Sequence, residues 1–435
     1  MYNVTINNIC KKAMVSLYIF VVVFAPPFMP YPHVALSIVC ALIVAIKYKG
    51  FVKDVLYKSG IFLFIRNIFL LAFYVILIPI PISMLTDDIV SFSHYLSIIN
   101  RYGVLVVVVI SCIPLLLIIS GGHDYNFLIE SFIYAGVIEG VCSISAFISP
   151  QIKNIFIMLM RTFTGSDLYN NNWYITVRSY GFSRTLVDVF GLGIAIIAGI
   201  SFFYGITKKR IYIIHSFIII ISAVLNSRTG VVIYFIAVAF SVIYIFIMGS
   251  TKLKIKLILS IAIIVLFSFW LKEIISTNQY TYNWVTNGLN SIISMIENGE
   301  KNDTFAILFS PNFWKLPDIS RSLIGTGHTL YRADGYAHSD VGYINDIWLF
   351  GILGSLLQYG TIIYLSINVY KKTNNILLRF SMLYILIAYA IFNIKASVIG
   401  YNPGAISMLI VLFTSNYLCN SEFGQVDGGK THIYG

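Results

Sequence analysis

The feature that most constrains this chain is a succession of apolar runs, many of them long enough to cross a bilayer as a helix. Crossing a hydrocarbon core of about 30 Å takes roughly 20 apolar residues. The 435 residues are 58% hydrophobic and only 11% charged, whereas about a quarter of the residues in a soluble domain are charged. Such a chain cannot bury its apolar surface in a water-soluble core. The sequence therefore predicts an all-α polytopic membrane protein, with residues 1–435 forming a single transmembrane domain.

About twelve of these runs are candidate transmembrane helices. They are residues 13–30, 33–46, 61–82, 103–120, 127–149, 186–205, 211–225, 230–248, 257–274, 346–369, 379–396 and 403–419. The second run is short and follows several prolines, so residues 13–46 are alternatively a broken re-entrant hairpin. Both alternatives return the chain to its starting side. Lys11 and Lys12 precede the first run, which we expect to be an uncleaved signal-anchor.

Basic residues predict the orientation of these helices. Lysine-rich connections alternate along the chain, around residues 11–12, 47–58, 208–210, 252–256 and 371–379. Cytoplasmic loops carry an excess of lysine and arginine, so both termini are expected in the cytoplasm. Two long segments, 150–185 and 275–345, then lie on the outer side, the second with a short amphipathic helix near 287–298. The loops account for the net charge of +11, and no nucleic-acid partner is expected.

Arginines are enriched on the predicted outer side. They are Arg101, Arg161, Arg178, Arg184, Arg228, Arg321 and Arg332. The positive-inside rule gives no reason for this enrichment, whereas phosphate binding does, because a guanidinium binds phosphate oxygens with two parallel hydrogen bonds. Contact with lipid headgroups is the alternative for any one of them. Arg178 and Arg184 precede a predicted span, and Arg228 lies in a minimal turn between two spans, where an arginine is costly unless it faces a cavity or a partner.

A second set of polar residues ends the larger outer segment. It consists of His328, Arg332, His338, Asp340, Tyr343 and Asp346. Histidine titrates near neutrality and suits proton transfer, so His338 is a candidate base. The carboxylates alternatively pair with arginines. No tight ligand spacing predicts a metal site, the five cysteines show no CxxC spacing, and no nucleotide-binding motif predicts a cofactor.

Several short stretches carry a resemblance to a known family. They are Arg178-Ser-Tyr-Gly-Phe182, Ser227-Arg-Thr-Gly230, Gly325-Thr-Gly327, His338-Ser-Asp-Val-Gly-Tyr343 and Gly351-Ile-Leu-Gly354. Together with the two long outer segments, they make the chain resemble bacterial O-antigen polymerases of the Wzy type. More distantly it resembles O-antigen ligases and other lipid-linked glycan polymerases.

The resemblance implies a glycosyltransferase of lipopolysaccharide biosynthesis in the bacterial inner membrane, with its active site facing the periplasm. Its substrate would be oligosaccharide repeat units on undecaprenyl pyrophosphate, joined into O-antigen or a similar surface polysaccharide without a cofactor. The other implied partners are membrane lipid and a chain-length regulator protein.

The resemblance also suggests roles for the residues. Arg178, Arg184, Arg228 and Arg332 would bind the pyrophosphate, and Arg228 would act in catalysis by stabilising the leaving group. His338 or Asp340 would accept the proton of the acceptor hydroxyl. His328 and Tyr343 would bind substrate, and the loop would hinge at Gly325 and Gly327. Tyr343 and Trp348 would stack on sugars, or alternatively belong to the aromatic belt at the membrane interface.

Two other functions stay open at the sequence level. A ligase would move finished glycan onto lipid A core, and the family's loop spacings are not met from Arg178 or from His338, so they do not separate it from a polymerase. A transporter or flippase for polysaccharide or lipid-linked sugars would need charged groups within the spans, where Glu139 and His215 are the candidates.

Overall fold

The structure is a computed structural model that describes residues 2–85, 92–120, 125–164, 176–179, 181–184, 188–298, 308–327, 339–400 and 402–421. These described ranges are 85% helix and contain no strand, which confirms the all-α prediction. The helices are α1 (Tyr2–Phe24), α2 (Pro32–Lys47), α3 (Lys49–Lys58), α4 (Ile61–Leu77), α5 (Pro79–Leu85), α6 (Phe92–Ile119), α7 (Tyr125–Ile148), α8 (Pro150–Thr164), α9 (Asp188–Thr207), α10 (Ile211–Asn226), α11 (Arg228–Met248), α12 (Thr251–Ser276), α13 (Gln279–Asn298), α14 (Ile319–Ile324), α15 (Gly342–Lys372), α16 (Ile376–Phe392) and α17 (Pro403–Asn420).

Seven helical stretches of the described chain are long and apolar enough to cross a membrane. They are Ile61–Ile82, Asn100–Ile119, Tyr125–Ile148, Val189–Thr207, Arg228–Met248, Thr251–Ser276 and Gly342–Lys372. Helices α2 and α3 are bent by 113° relative to each other and make an eighth if they form one broken span. A polytopic membrane protein is thus supported, while the count of twelve spans and the orientation stay predictions.

Helix α9 lies at the centre of the bundle, because 94% of its apolar window is buried. Glycines on this helix let its neighbours approach closely. Gly193 lies against the backbone of Pro403 at the start of α17, and Gly199 lies against the ring of Tyr384 in α16. Small residues allow such close contacts between helices in a membrane, where burial of apolar surface does not drive helix association.

One end of the bundle, called here the lysine end, joins α1, α7 and α9 through a carboxylate. Lys12 Nζ donates a hydrogen bond to Glu130 Oε2, and Lys209 Nζ lies 3.8 Å from Oε1 of the same side chain. Tyr204 OH donates to that oxygen at 3.1 Å. The opposite ends of α1 and α10, at Phe24 and Asn226, meet at what is called here the arginine end.

Helix α15 is broken at Gly351, whose backbone is not helical (φ 66°, ψ 177°). Asp346, before the break, accepts a hydrogen bond of 2.6 Å from Tyr359 OH, after it. In a straight helix the two residues would be about 20 Å apart along the axis. Residues 342–350 therefore fold back beside the start of the following helix. The sequence predicted one uninterrupted span over 346–369, and this is corrected: only the part after Gly351 is a straight apolar helix.

Candidate functional site

Residues 177–179 and 181–184, called here the arginine segment, cross the ends of α1 and α10. Asn226 Nδ2 donates to the carbonyl oxygen of Ser179 at 2.8 Å. Further along, the backbone N–H of Arg184 donates to the carbonyl oxygen of Phe24 at 3.0 Å. Carbonyl groups at helix ends have no partner within their own helix. The segment satisfies one of them and is itself held in place by two helices.

Glu139 holds the middle of the arginine segment from within α7. Its Oε2 accepts the backbone N–H of Phe182 at 3.1 Å, and its side chain is fully buried. Oε1 has no hydrogen-bond partner among the described residues. Only glycine fits at position 181, because a Cβ atom there would overlap Oε1. Glu139, which the sequence offered as a transport residue, thus binds the backbone between the two arginines.

Arg178 and Arg228 meet on one aromatic side chain, Trp284 of α13. Their Cζ atoms lie 5.3 and 4.8 Å from the centroid of its ring. Arg228 Nη2 also donates to the carbonyl oxygen of Trp284 at 2.5 Å. Cations are attracted to the face of an indole, which can hold a guanidinium without neutralising it. The structure therefore brings two of the sequence-predicted binding residues together.

A one-residue connection fixes the position of Arg228. Ser227 alone separates α10 from α11, and its side chain caps α11 by accepting the backbone N–H of Gly230 at 3.3 Å. Gly230 lies against the backbone of Gly191 in α9, so the turn is packed on the central helix. Arg228 is the first residue of α11. A helix N-terminus carries a partial positive charge, which adds to that of the guanidinium and favours anions there.

Arg228 has little in its surroundings to compensate its charge. Its Nε is buried without a hydrogen-bond partner among the described residues. In the same parts of the chain, no carboxylate forms a salt bridge with it. An unsatisfied buried donor on a charged group is costly. A dianion reaching both Arg178 and Arg228 would supply the missing acceptor and the missing charge.

Arg184 has a different aromatic partner from the other two arginines. Its Cζ lies 4.1 Å from the ring centroid of Tyr31, which precedes α2. Arg178 and Arg184 thus occupy the two ends of the arginine segment, each on its own aromatic residue. The sequence grouped Arg184 with the pyrophosphate-binding residues, and the structure places it on Tyr31 and not on Trp284.

The second polar set is described in part. His328, Arg332 and His338 lie outside the described residues. Asp340 Oδ2 lies 3.0 Å from Lys395 Nζ, so its cationic partner is a lysine that the sequence did not single out. Tyr343 OH donates to the carbonyl oxygen of Ala390 at 2.7 Å, which engages the hydroxyl proposed to bind substrate.

Two residues of the helix before the break have structural partners. Asp346 accepts hydrogen bonds from Tyr359 OH and from Ser397 Oγ, the latter at 2.8 Å, and is buried. Trp348 is 4% exposed, and its Nε1 donates to the carbonyl oxygen of Lys315 at 2.9 Å. The burial of Trp348 in this structure argues against stacking of its ring on a sugar.

Backbone hydrogen bonds fix the glycines that the sequence offered as a hinge. Thr326 N and Oγ1 donate to the carbonyl oxygen of Trp348 at 2.6 and 2.8 Å, and Gly327 N donates to that of Leu349 at 3.2 Å. The break at Gly351 leaves these carbonyls without helical partners. A Cβ on Gly325 would lie 2.6 Å from the N atom of Gly351. In this structure the backbone at Gly325 and Gly327 caps a broken helix, which gives these glycines a structural role, and the hinge stays a prediction.

An apolar cavity of about 290 Å³ lies between α4 and α6. It is lined by Ile68, Leu71 and Val106. Gly327 and Phe350, which lie near the break in α15, also line it. Its lining is almost wholly apolar, which suits a hydrocarbon chain and excludes a sugar or a phosphate.

Trp284 and Tyr31 are the functional candidates that the sequence interpretation missed. Both look like ordinary interfacial aromatic residues in a membrane protein. The sequence showed only local features: Tyr31 follows a proline-rich stretch, and Trp284 precedes Gly288. Such features do not indicate contacts with arginines that are distant in the chain, such as that of Gly288 with Arg228.

In the part of the chain that the structure describes, no three His, Cys, Asp or Glu side chains come together as a metal site would need. Comparisons with protein-family models, with curated proteins and with solved structures found no match to this chain. The chemistry of the arginine end is therefore the basis for a functional proposal.

Proposed function

We propose that this chain is a glycosyltransferase that polymerises undecaprenyl-pyrophosphate-linked oligosaccharide repeat units at the periplasmic face of the bacterial inner membrane. The observation that supports the proposal is the pair of guanidinium groups, Arg178 and Arg228, on the ring of Trp284. Two guanidiniums can balance the charge of a pyrophosphate without a metal ion and can bind its oxygens with forked hydrogen bonds.

In the proposed reaction an acceptor sugar hydroxyl attacks the anomeric carbon of the donor. The bond between that carbon and the pyrophosphate oxygen breaks, and lipid pyrophosphate leaves with the electron pair. Arg178 and Arg228 stabilise the charge that develops on it. The proton of the hydroxyl passes to His338, or to Asp340 when Lys395 releases it.

Twelve spans with both termini in the cytoplasm would place the arginine end in the periplasm. The opposite, lysine end carries Lys12 and Lys209, as the excess of cytoplasmic lysine in membrane proteins requires. The apolar cavity between α4 and α6 supports a lipid-linked substrate, because a hydrocarbon chain fits its lining.

The test replaces Arg178 and Arg228 singly by alanine in a strain that depends on this chain for surface polysaccharide. We expect single repeat units to accumulate on the lipid A core, because removing one stabilising charge costs roughly a hundredfold or more in rate. Arg161→Ala is the matched control, since Arg161 is an exposed arginine of the same outer region. Full-length glycan in both the Arg178 and Arg228 variants, at normal protein level, would refute the proposal.

The length of the glycan and the lipid that carries it, both seen on gels of the same strains, distinguish a polymerase from a ligase. Loss of a ligase leaves long polymer on the carrier lipid, whereas loss of a polymerase leaves one repeat unit on the core. Long lipid-linked polymer in the Arg228→Ala strain would therefore reassign the arginine pair to ligation.

A further inference from the structure

The aromatic residues that are candidates for contact with a sugar differ in how much of their surface is open. Trp284 is 8% exposed and already holds two guanidiniums. Trp348 is buried, and Tyr343 is engaged through its hydroxyl. Tyr31, in contrast, is 50% exposed and lies against Arg184.

Contacts on one side fix the ring of Tyr31. The guanidinium of Arg184 covers one face at 4.1 Å, and the ring of His33 lies 6.2 Å away in an edge-on arrangement. Arg184 is itself tied by its backbone N–H to the end of α1 at Phe24. Arg184 covers one face of Tyr31, and the residue is still 50% exposed, so it has open surface beside a guanidinium.

The backbone around Tyr31 is unusual. Ala25 and Tyr31 have φ values of 48° and 51°, and no other non-glycine residue in the described ranges has a positive φ. Both bound the turn of residues 25–31 that joins α1 to α2. Glycine and asparagine adopt this conformation at lower cost than tyrosine does. Strained positions of this kind are concentrated at functional sites.

We propose that Tyr31, backed by Arg184, is a platform for a pyranose ring of the oligosaccharide substrate. The C–H groups on one side of a pyranose carry partial positive charge and fit the negative face of an aromatic ring. The guanidinium of Arg184 can donate to sugar hydroxyls at the edge of the same ring. A ring already fixed loses little conformational freedom on binding. This inference rests on the proposed function, because it assigns the sugar moiety of that substrate.

The experiment measures sugar binding separately from catalysis. The probe is the soluble oligosaccharide released by mild acid from the cell's own lipid-linked repeat units. Its binding to the purified full chain in lipid nanodiscs is followed by saturation-transfer NMR. Tyr31→Asn removes the ring while accepting the left-handed backbone, and Tyr31→Phe keeps the ring. We expect about tenfold weaker binding for Tyr31→Asn and unchanged binding for Tyr31→Phe.

Phe28→Ala is the matched control, because Phe28 is 47% exposed in the same turn. If Tyr31 were only a membrane-interface anchor, Tyr31→Asn and Phe28→Ala would both leave sugar binding at the wild-type level, and that result would overturn the platform. Weaker binding in Tyr31→Asn alone supports it.

The failure of this inference can be told from the failure of the proposed function. Normal sugar binding in Tyr31→Asn together with lost polymer in Arg228→Ala removes the platform and keeps the polymerase. Full-length polymer in Arg178→Ala and Arg228→Ala together with weak sugar binding in Tyr31→Asn keeps a sugar site and removes the polymerase.

Discussion

The two ends of the helix bundle hold their cations by different means. At the lysine end, Lys12 and Lys209 meet the carboxylate of Glu130. At the arginine end, Arg178 and Arg228 lie on the indole of Trp284. A carboxylate neutralises a cation, whereas an aromatic face attracts it and leaves its charge available to a further anion. The lysine end therefore suits structural stability, and the arginine end suits binding of an anion.

Stability measurements test most strongly whether the two ends differ in this way. Glu130→Ala should lower the free energy of unfolding by roughly 3 kcal/mol, because the partly buried ammonium of Lys12 would lose its partner. Unfolding in detergent micelles, followed by circular dichroism, measures the change. Arg228→Ala is the counterpart at the other end and should lower the free energy of unfolding by no more than about 1 kcal/mol, because the lost contact with Trp284 is offset by removal of an unsatisfied buried donor. Equal losses in the two variants would show that both ends are structural.

A smaller effect concerns binding of the anion itself. Sodium pyrophosphate at about thirty times its dissociation constant should stabilise the wild-type chain by about 2 kcal/mol. Thermal unfolding with sodium chloride at equal ionic strength as the reference measures this. The stabilisation should vanish in Arg228→Ala and persist in Lys209→Ala. Stabilisation that survives Arg228→Ala would place the anion elsewhere.

The indole of Trp284 should contribute less to pyrophosphate affinity than the arginines do. Trp284→Leu should weaken pyrophosphate binding by about fivefold, since a cation–π contact contributes roughly 1 kcal/mol. Trp284→Phe keeps an aromatic face and should lose less, and calorimetric titration would resolve the two. Tyr204→Phe removes a hydroxyl that donates to Glu130 at the lysine end and should leave the affinity unchanged. An effect of Tyr204→Phe as large as that of Trp284→Leu would mean that the two ends are coupled.

The sequence was sufficient for the helical class, and it singled out Arg178 and Arg228, which the structure brings together on Trp284. Apolar runs report on lipid burial directly, and an arginine between two such runs is costly enough to stand out. It was not sufficient for Trp284 or Tyr31, because an aromatic residue at a membrane interface has an ordinary explanation. Lys395, at the end of the predicted span 379–396, was not singled out either, although it pairs with Asp340.

The break at Gly351 was missed for a different physical reason. Hydropathy runs smoothly through residues 346–369 and carries no information on backbone angles. The contact between Gly325 and Gly351 needs the absence of two Cβ atoms at once. A single sequence shows each glycine but not their pairing, so Gly325 was interpreted as a hinge and Gly351 as part of an uninterrupted span.

That pairing has a consequence for biosynthesis. The residues that cap the broken helix, Thr326 and Gly327, leave the ribosome before Trp348 and Leu349, whose carbonyl oxygens they bind. Translation proceeds from the N-terminus, so the donors exist before the acceptors enter an apolar environment. In a circularly permuted chain, residues 325–327 would be synthesised after α15. The carbonyl oxygens of Trp348 and Leu349 would then lack hydrogen-bond donors during membrane insertion. The yield of folded protein should fall, although every residue is retained.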